Sequence, residues 1–327
     1  MTDPIQLEPG IIEGLTKPTI EKLRSAGIPT LQALAAQTPK DLAEKSGLGE
    51  ETAQKAIRKA VQMVSEGFIT GDVLKEKRNE RTRLKTGCVA LDNLLGGGVE
   101  SQTTLEIAGA GGQGKTQIVH TLAVLAQLPI EQGGLNGEVA IIDTEDTWSI
   151  KRIEQIATAR GLDAEKIIKG IHWARALNTE HQKYLIEQLF DLCSKAPIKL
   201  IIVDSMMAHL RSEYIGRGEL SDRQGELGSM LQTLLKVAIS TNTTVIYTNQ
   251  VMNRPIAYGD PEVSTGGHIM AHAGLTRIHL RKGRKEIKIA KLVDSSYLPP
   301  GEAMFIITDK GIDDVIIEKK GEENEDE

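Results

Sequence analysis

The sequence predicts an α/β core, built on a mostly parallel sheet covered by helices, with a small all-α domain in front of it. After residue 85, four short apolar runs alternate with segments long enough for helices, at 104–108, 139–143, 200–204 and 244–248. Apolar runs of this length are typical of strands buried on both faces, and their alternation with helices indicates parallel strands. Before residue 67, apolar residues recur at helical spacing between turns that contain glycine or proline, which predicts several short helices.

The composition is that of an ordinary globular protein. The 327 residues exceed one average domain, and 40% of them are hydrophobic and 26% charged. The net charge of −6 gives no global electrostatic argument for binding nucleic acid, and the aromatic fraction of 3% disfavours a base-stacking platform. DNA, if bound, would therefore be held mainly by its backbone.

Neither a membrane anchor nor a metal–sulfur site is indicated. No basic N-terminal region is followed by an apolar run, and no apolar stretch reaches the length of about 18 residues that a membrane-spanning helix needs. The cysteines are Cys88 and Cys193, and neither has the spacing of a metal ligand. We therefore expect a cytoplasmic protein without a disulfide framework and without a membrane partner.

Residues 1–66 form the predicted helical domain, which we expect to contain four or five short helices. Within it, Gly47-Leu48-Gly49 joins two helical segments, as in a helix-hairpin-helix motif. In that motif the glycine turn leaves backbone N–H groups at a helix N-terminus available for a phosphate. Glu50 and Glu51 oppose this role because they put negative charge where the phosphate would approach. The alternative is a helical bundle whose glycine turn binds nothing, and both interpretations stay open.

A linker is predicted at residues 67–85, where glycines are followed by a run of charged residues. Phe68 lies in this linker with little local sequence to bury it. An exposed aromatic side chain is often an anchor that fits a pocket of a partner. The alternative is that Phe68 packs on its own chain, and the sequence does not decide between the two.

The core contains a phosphate-binding loop between the first predicted strand and a helix predicted at 116–128. The segment fits the pattern G-x-x-x-x-G-K-[ST] and reads Gly109, Ala110, Gly111, Gly112, Gln113, Gly114, Lys115 and Thr116. Its glycines let backbone N–H groups turn inward around the phosphates of ATP. Lys115 would reach the β- and γ-phosphates, and Thr116 would supply a hydroxyl group to Mg²⁺. We expect the next residue, Gln117, to contact the nucleotide as well.

Polar residues follow the other predicted strands. Asp204 ends the apolar run 200–204, where a Walker B carboxylate would hold Mg²⁺ through water. Glu145 could polarise the water that attacks the γ-phosphate, and Gln250 could sense the γ-phosphate by hydrogen bonding. Ligands of parallel sheets bind at the carboxyl ends of the strands, so these residues could converge on the loop. For Glu145 and Gln250 the alternative is a solvated strand end without a catalytic role.

Three longer stretches carry a family resemblance: RSEYIGRGELSDRQ at 211–224, TNQVMNRP at 248–255 and GGHIMAH at 266–272. With them, the chain resembles the archaeal RadA recombinases, a RecA-like strand-exchange family, over nearly its whole length. The resemblance implies a RecA-like ATPase core at 86–318, an acidic tail at 319–327 and a polymerisation motif in the linker. It also implies an ATP- and Mg²⁺-dependent protein of DNA repair and homologous recombination, associated with the nucleoid.

The resemblance implies a role for individual residues. Glu145 and Gln250 match a catalytic glutamate and a γ-phosphate sensor, and Arg152 matches an arginine that stacks on adenine. Asp294 and Pro299 match a cap that a neighbouring subunit places over the nucleotide. The residues implied in DNA binding are Arg211, Arg217, Arg223, Arg254, Gly266 and Gly267. Those implied at subunit interfaces are Phe68 and His272.

Some positions depart from the family pattern. Ser296 stands where relatives have a proline after Asp-Ser, so we expect a looser cap. Gly71 replaces an alanine beside the polymerisation motif, which predicts a weaker contact there. The loop interior, residues 110–113, lacks the acid and the aromatic residue of the relatives, yet the phosphates should still fit.

A local basic cluster supports DNA binding independently of the resemblance. Seven basic residues and one acidic residue give the segment 275–291 a charge of +6. Beside a DNA-binding loop such a cluster would meet phosphates, whereas the alternative is a solvated face.

The function implied is filament formation on single-stranded DNA with ATP, followed by homologous pairing and strand exchange with duplex DNA. The chain would associate with itself into a helical filament or a ring, and recombination mediators are further expected partners. One alternative is a recombination mediator that binds ATP and DNA without exchanging strands. Another is a hexameric ring ATPase, against which Phe68 and the loop matches argue.

Overall fold

The computed structural model describes residues 4–216, 218–253, 262–264 and 276–316. The predicted acidic tail lies outside these ranges. Five residues with predicted roles in DNA binding or assembly also lie outside them, namely Arg217, Arg254, Gly266, Gly267 and His272.

Twelve α-helices lie within the described ranges. They are α1 (Lys17–Ser25), α2 (Leu31–Ala35), α3 (Pro39–Ser46), α4 (Glu50–Val64), α5 (Gly71–Asn79), α6 (Val89–Leu94), α7 (Lys115–Leu125), α8 (Ile150–Ala159), α9 (Ala164–Lys169), α10 (Thr179–Lys195), α11 (Ala208–Glu213) and α12 (Leu220–Thr241). None of these twelve is both long and apolar enough to cross a membrane.

Thirteen strands lie within the same ranges. They are β1 (Arg83–Leu84), β2 (Val99–Glu100), β3 (Thr104–Gly109), β4 (Glu138–Asp143), β5 (Ile171–Arg175), β6 (Ile198–Asp204), β7 (Thr244–Asn249), β8 (Val251–Asn253), β9 (Glu262–Ser264), β10 (Thr276–Lys282), β11 (Lys288–Ser295), β12 (Glu302–Thr308) and β13 (Gly311–Asp314). The four predicted strands are all present as β3, β4, β6 and β7, each longer than predicted by one or two residues. The predicted helix 116–128 is α7, which begins one residue earlier and ends three residues earlier.

Nine of the strands form one sheet in the order β13-β12-β11-β10-β3-β7-β6-β4-β5. The six strands from β10 to β5 run parallel to one another, and β11, β12 and β13 continue the sheet antiparallel. The core is therefore the mostly parallel, helix-covered sheet that the sequence predicts. Its antiparallel extension was not part of that prediction.

Both faces of the sheet are buried, which explains why the central strands are apolar throughout. In β6, Ile201 and Val203 face a cluster with α10 and α12, whereas Leu200 and Ile202 face a second cluster with α7 and α8. Successive side chains of a strand point to opposite faces, so burial on both faces removes the usual alternation of polar and apolar residues.

The N-terminal helices α1 to α4 join the first of these clusters, so the small domain packs directly on the core. An ion pair between Lys45 and Glu187 adds a polar contact at 2.8 Å. Between α3 and α4 the chain turns through Gly47, which has a φ of 67°, a conformation that favours glycine. The predicted helix pair with a glycine turn is thus present.

The segment predicted as a linker contains regular structure. Helix α5 occupies Gly71–Asn79 and buries none of its residues, and β1 follows it. Phe68, just before α5, is fully exposed, at 108% of its reference area. Packing of Phe68 on its own chain, one of the two interpretations left open by the sequence, is therefore not what the structure contains.

Candidate nucleotide site

The carboxyl ends of four parallel strands meet at one edge of the sheet. Strand β3 leads into the phosphate-binding loop, and β4, β6 and β7 lead into the segments that begin after Asp143, Asp204 and Asn249. Asp143 and Asp204 are register partners in adjacent strands. The topology therefore brings the sequence-predicted residues at these strand ends next to the loop.

The loop between β3 and α7 has a backbone that glycine alone readily adopts at two points. Gly112 and Gly114 have φ values of 72° and 102°. A Cβ atom at Gly114 would also lie 3.1 Å from Cδ1 of Ile307, so the turn into α7 is packed closely against β12. Helix α7 then begins at Lys115, and its N-terminal N–H groups face the loop, as an anion-binding turn requires.

Lys115 is held over the loop by backbone carbonyl groups. Its Nζ donates hydrogen bonds to the carbonyl oxygens of Gly109 and Ala110, at 2.8 and 3.0 Å. Burial lowers the pKa of Lys115, while Asp204 and Glu145 oppose that shift. The ammonium group thus lies within the turn where the phosphates of a nucleotide would be bound.

Thr116 and Asp204 form the predicted pair of oxygen ligands. Oγ1 of Thr116 donates to Oδ2 of Asp204 at 3.0 Å, and the hydroxyl group of Thr248 donates to the other carboxylate oxygen. Burial raises the pKa of Asp204, the two hydroxyl groups lower it, and Glu145 and Asp143 raise it further. A buried carboxylate beside a hydroxyl group fits Mg²⁺, which prefers oxygen and takes its remaining ligands from water and phosphate. Among the described residues, no group of three or more His, Cys, Asp or Glu residues could form a metal cage by itself.

Glu145 lies at the centre of a chain of side-chain hydrogen bonds. Its Oε1 accepts from Oγ of Ser205 at 2.8 Å and from Nε2 of Gln250 at 3.1 Å. Oε1 of Gln250 in turn accepts from Nη1 of Arg211 at 2.6 Å. The structure therefore joins a predicted catalytic residue, a predicted phosphate sensor and a predicted DNA-binding residue in one network. Glu145 and Gln250 thus both have side-chain partners in the structure, and their roles in catalysis stay a prediction.

Asp143 positions the turn that carries Glu145, and sequence reasoning missed it. Its carboxylate, in a residue only 1% exposed, accepts from the backbone N–H groups of Glu145, Thr147 and Trp148. It also accepts from Nε1 of Trp173 at 3.3 Å. The signal that the sequence offers for Asp143 is an acidic residue at the end of a buried strand.

Arg152 lies at the rim of the site, where its guanidinium group contacts the C-terminal strands. Its Nε donates to Oε1 of Gln117 at 2.8 Å and its Nη2 donates to the carbonyl oxygen of Thr308 at 2.5 Å. On the same helix as Gln117, His120 stacks its ring on that of Trp148 with the centroids 4.1 Å apart. Gln117 and Arg152, both predicted to contact the nucleotide, are thus adjacent.

Asp294 and Pro299 lie at the opposite edge of the sheet. Strand β11 is antiparallel to β10, so its C-terminal end lies beside the start of β10, where Ser295 pairs with Thr276 and Thr276 pairs with Leu105. Leu105 is near the beginning of β3, whereas the phosphate-binding loop follows its end. These two residues therefore cannot reach the loop of their own chain.

The basic cluster is less solvated than its sequence predicts. Arg277 is nearly buried, and its Nε donates to the fully buried carboxylate of Glu106 at 2.6 Å. Arg281 pairs with Glu302 at 2.8 Å, and Nζ of Lys288 donates to the carbonyl oxygen of Gly112. The charge of +6 assigned to the segment is thus partly neutralised by acids that are distant in sequence.

These features define a P-loop protein with a RecA-like sheet. The family model of Rad51 matches residues 77–315, and a model of the SAM-like helix-hairpin-helix tandem matches residues 12–61. The chain is 42% identical to the "DNA repair and recombination protein RadA" of Aeropyrum pernix over 304 residues, which is 93% of this chain and 95% of that protein. The chain belongs to the Rad51 family, and the resemblance to archaeal RadA recombinases is confirmed.

Proposed function

We propose that this protein is a recombinase of DNA repair, which assembles on single-stranded DNA with ATP and Mg²⁺ and exchanges strands with a homologous duplex. The observation that carries the proposal is the hydrogen-bonded chain Arg211–Gln250–Glu145. It connects Arg211, which is predicted to bind DNA, with Glu145, the predicted catalytic carboxylate. Binding of DNA at one end could therefore change the environment of the hydrolytic residue at the other.

At the phosphates, each side chain has a separate task. Lys115 neutralises charge on the β- and γ-phosphates, and the loop N–H groups orient them. Thr116 and Asp204 would hold Mg²⁺, which would offset the charge that develops on the transferred phosphoryl group. Glu145 orients the attacking water and accepts its proton, and Ser205 fixes the carboxylate that does so.

Assembly would complete the site from a second copy. Asp294 and Pro299 lie on the edge of the sheet opposite the loop. A head-to-tail arrangement of copies would place that edge over the nucleotide of the next subunit. Such a contact is heterologous and produces a ring or an open helix. The fully exposed Phe68 supports the same arrangement, since an exposed aromatic residue fits the role of an anchor between subunits.

DNA contacts are proposed for Arg211 and Arg223 among the described residues, and for Arg217, Arg254, Gly266 and Gly267. Arginines that bind phosphate supply affinity without sequence preference. Replacing Arg217 or Arg223 with alanine should therefore weaken single-strand binding and reduce its salt dependence by about one unit of slope.

The proposal is tested by ATP hydrolysis with and without single-stranded DNA, together with the slope of DNA affinity against salt for wild type and these arginine variants. We expect hydrolysis that DNA stimulates and a smaller slope in each variant. Hydrolysis that is indifferent to DNA would contradict the coupling. ATP and DNA binding without strand exchange would instead indicate a recombination mediator.

A further inference from the structure

The segment that carries Pro299 leaves the sheet after Ser295. The pairing of β10 with β11 ends at Thr276 and Ser295, and the backbone rejoins the ladder where the N–H of Leu292 donates to the carbonyl oxygen of Gly301. Between these points, Leu298 N–H donates to Oγ of Ser295 at 3.3 Å. Ser296, which stands in place of a proline, leaves the backbone here without a fixed φ.

A cluster of polar side chains holds this segment through Tyr297. The Tyr297 hydroxyl group donates to Oε2 of Glu100 at 3.2 Å and accepts from Nη1 of Arg83 at 3.3 Å. Arg83 also donates from Nη2 to Oε2 of Glu100 at 3.1 Å. Arg81 donates to the other oxygen, Oε1, at 2.9 Å, so both oxygens of this carboxylate are used. The side chain of Glu100 is only 11% exposed.

The ring of Tyr297 is not fixed by burial. It is 52% exposed, and a cavity of about 270 Å³ lies beside it, lined by Arg78, Arg81, Arg83 and Ser296 among others. Leu298 packs against the hydrophobic core, whereas the hydroxyl contacts are what restrain Tyr297 itself. With them, Tyr297 is tied to a carboxylate that two arginines orient and that β2 carries beside the sheet.

We propose that Tyr297 is a positioning residue, whose hydroxyl group is held by Glu100 and Arg83 and restrains the segment 296–299 so that Pro299 is preorganised for the nucleotide of the adjacent subunit. This inference rests on the proposed function for its effect on the nucleotide. The contact with Glu100 takes the place of the rigid φ that a proline at position 296 would give. The cap is then held by side-chain hydrogen bonds, and the looseness expected from Ser296 is offset.

The contact itself is tested by amide hydrogen exchange at Leu298, whose N–H donates to Oγ of Ser295, and this measurement needs neither ATP nor assembly. Tyr297→Phe removes the hydroxyl group and keeps the ring, so exchange should become about three- to tenfold faster. The double variant Ser296→Pro/Tyr297→Phe should restore slow exchange, since proline supplies the missing restraint. Ser296 has no positive φ, and no hydrogen bond from its N–H is found among the described residues. Unchanged exchange in Tyr297→Phe would overturn the proposal.

The consequence for the nucleotide is tested by ATP hydrolysis at saturating DNA. Tyr297→Phe should raise KM for ATP about fivefold with kcat unchanged, because the cap contributes to binding and the hydrolytic residues lie in the other subunit. Adding Ser296→Pro should return KM to the wild-type value. Tyr184→Phe is the matched control, since Tyr184 on α10 has a similar exposure of 55%.

If Tyr297→Phe exchanges faster but its KM for ATP is unchanged, the contact restrains the segment but does not act on the nucleotide. A rise in KM that Ser296→Pro does not reverse would also refute it. Absence of DNA-dependent hydrolysis in the wild type would contradict the proposed function instead, and the exchange measurement would still decide on the contact.

Discussion

The side-chain amide of Gln250 donates a hydrogen bond to the carboxylate of Glu145 across 3.1 Å, and Arg211 donates to the amide oxygen of the same Gln250. A glutamine can donate and accept at once, so it transmits an orientation from the arginine to the carboxylate. This places Gln250 between Arg211, which is predicted to bind DNA, and Glu145, which is predicted to act in hydrolysis.

The first prediction concerns Glu145→Gln, which keeps the shape and one acceptor oxygen but removes the charge. ATP binding should persist, whereas hydrolysis should fall by about 10²- to 10⁴-fold, because the amide cannot accept a proton from water. Binding is measured by titration calorimetry and hydrolysis by phosphate release. Asp146→Asn, one residue further along, is the control. Near-normal turnover in Glu145→Gln would remove this residue from the chemistry.

We expect the free energy of unfolding to decrease as the pH falls, because the buried ring of His120 then becomes protonated. Burial lowers its pKa, and the neutral ring accepts from the N–H of Ser149 at Nε2 while Nδ1 contacts the carbonyl oxygen of Thr116. A lowered pKa means that the unfolded chain binds the proton more readily. The stabilisation that neutral His120 gives to the folded protein is therefore present above about pH 6.5 and is lost as the pH falls below this value.

Replacing His120 with phenylalanine keeps an aromatic ring on Trp148 but cannot titrate. Between pH 7.5 and pH 5.5, the wild type should lose roughly 1 kcal/mol more of its unfolding free energy than His120→Phe does. Urea unfolding at the two pH values measures the difference. Equal losses in the two proteins would show that another group sets the acid sensitivity.

The buried pair of Glu106 and Arg277 predicts a non-additive effect on stability. Glu106 also accepts from Nδ2 of Asn249 at 2.8 Å, so one carboxylate links the end of β7 to the start of β10. Glu106→Leu leaves a buried guanidinium group without its partner, so it should lower the free energy of unfolding by about 3–5 kcal/mol. The double variant Glu106→Leu/Arg277→Met should recover a large part of this loss. If the double variant loses as much unfolding free energy as the two single variants lose together, the two residues are not coupled.

Phe68→Glu should dissociate the assembly. Truncating or charging a buried aromatic anchor at an interface typically costs more than about 2 kcal/mol. Light scattering should show smaller particles, and DNA-stimulated hydrolysis should fall although every residue of the loop is intact. Val61→Glu on α4 is the control, since it also adds a charge at an exposed apolar position. Large particles that persist in Phe68→Glu would require another anchor.

Much of this site was predictable because its residues follow strands at the same edge of a parallel sheet. The apolar runs predicted β3, β4, β6 and β7. Because these strands are parallel, the polar residues that follow them lie close together. The contacts that span long sequence distances were not predictable in the same way. From the local sequence, Arg277 belongs to a basic cluster, whereas in the structure it forms an ion pair with Glu106 of another strand.

The contact proposed to offset the expected looseness of the cap shows the same limit. Ser296 lacks the restraint of a proline, and a local pattern alone therefore predicts mobility. Glu100 and Tyr297 are 197 positions apart, and only the folded sheet brings them together. Helix α5, with no buried residue, was missed because it has no apolar face for a periodic pattern to reveal.

The most direct test of the account is strand exchange between a circular single-stranded DNA and a homologous linear duplex, with ATP and Mg²⁺. The wild type should form joint molecules that depend on homology and on ATP. Lys115→Ala should form none under hydrolysing conditions, because no other side chain of the loop supplies positive charge to the β- and γ-phosphates. Exchange by Lys115→Ala at the wild-type rate, or no homologous pairing by a wild type that binds ATP and DNA normally, would contradict the account.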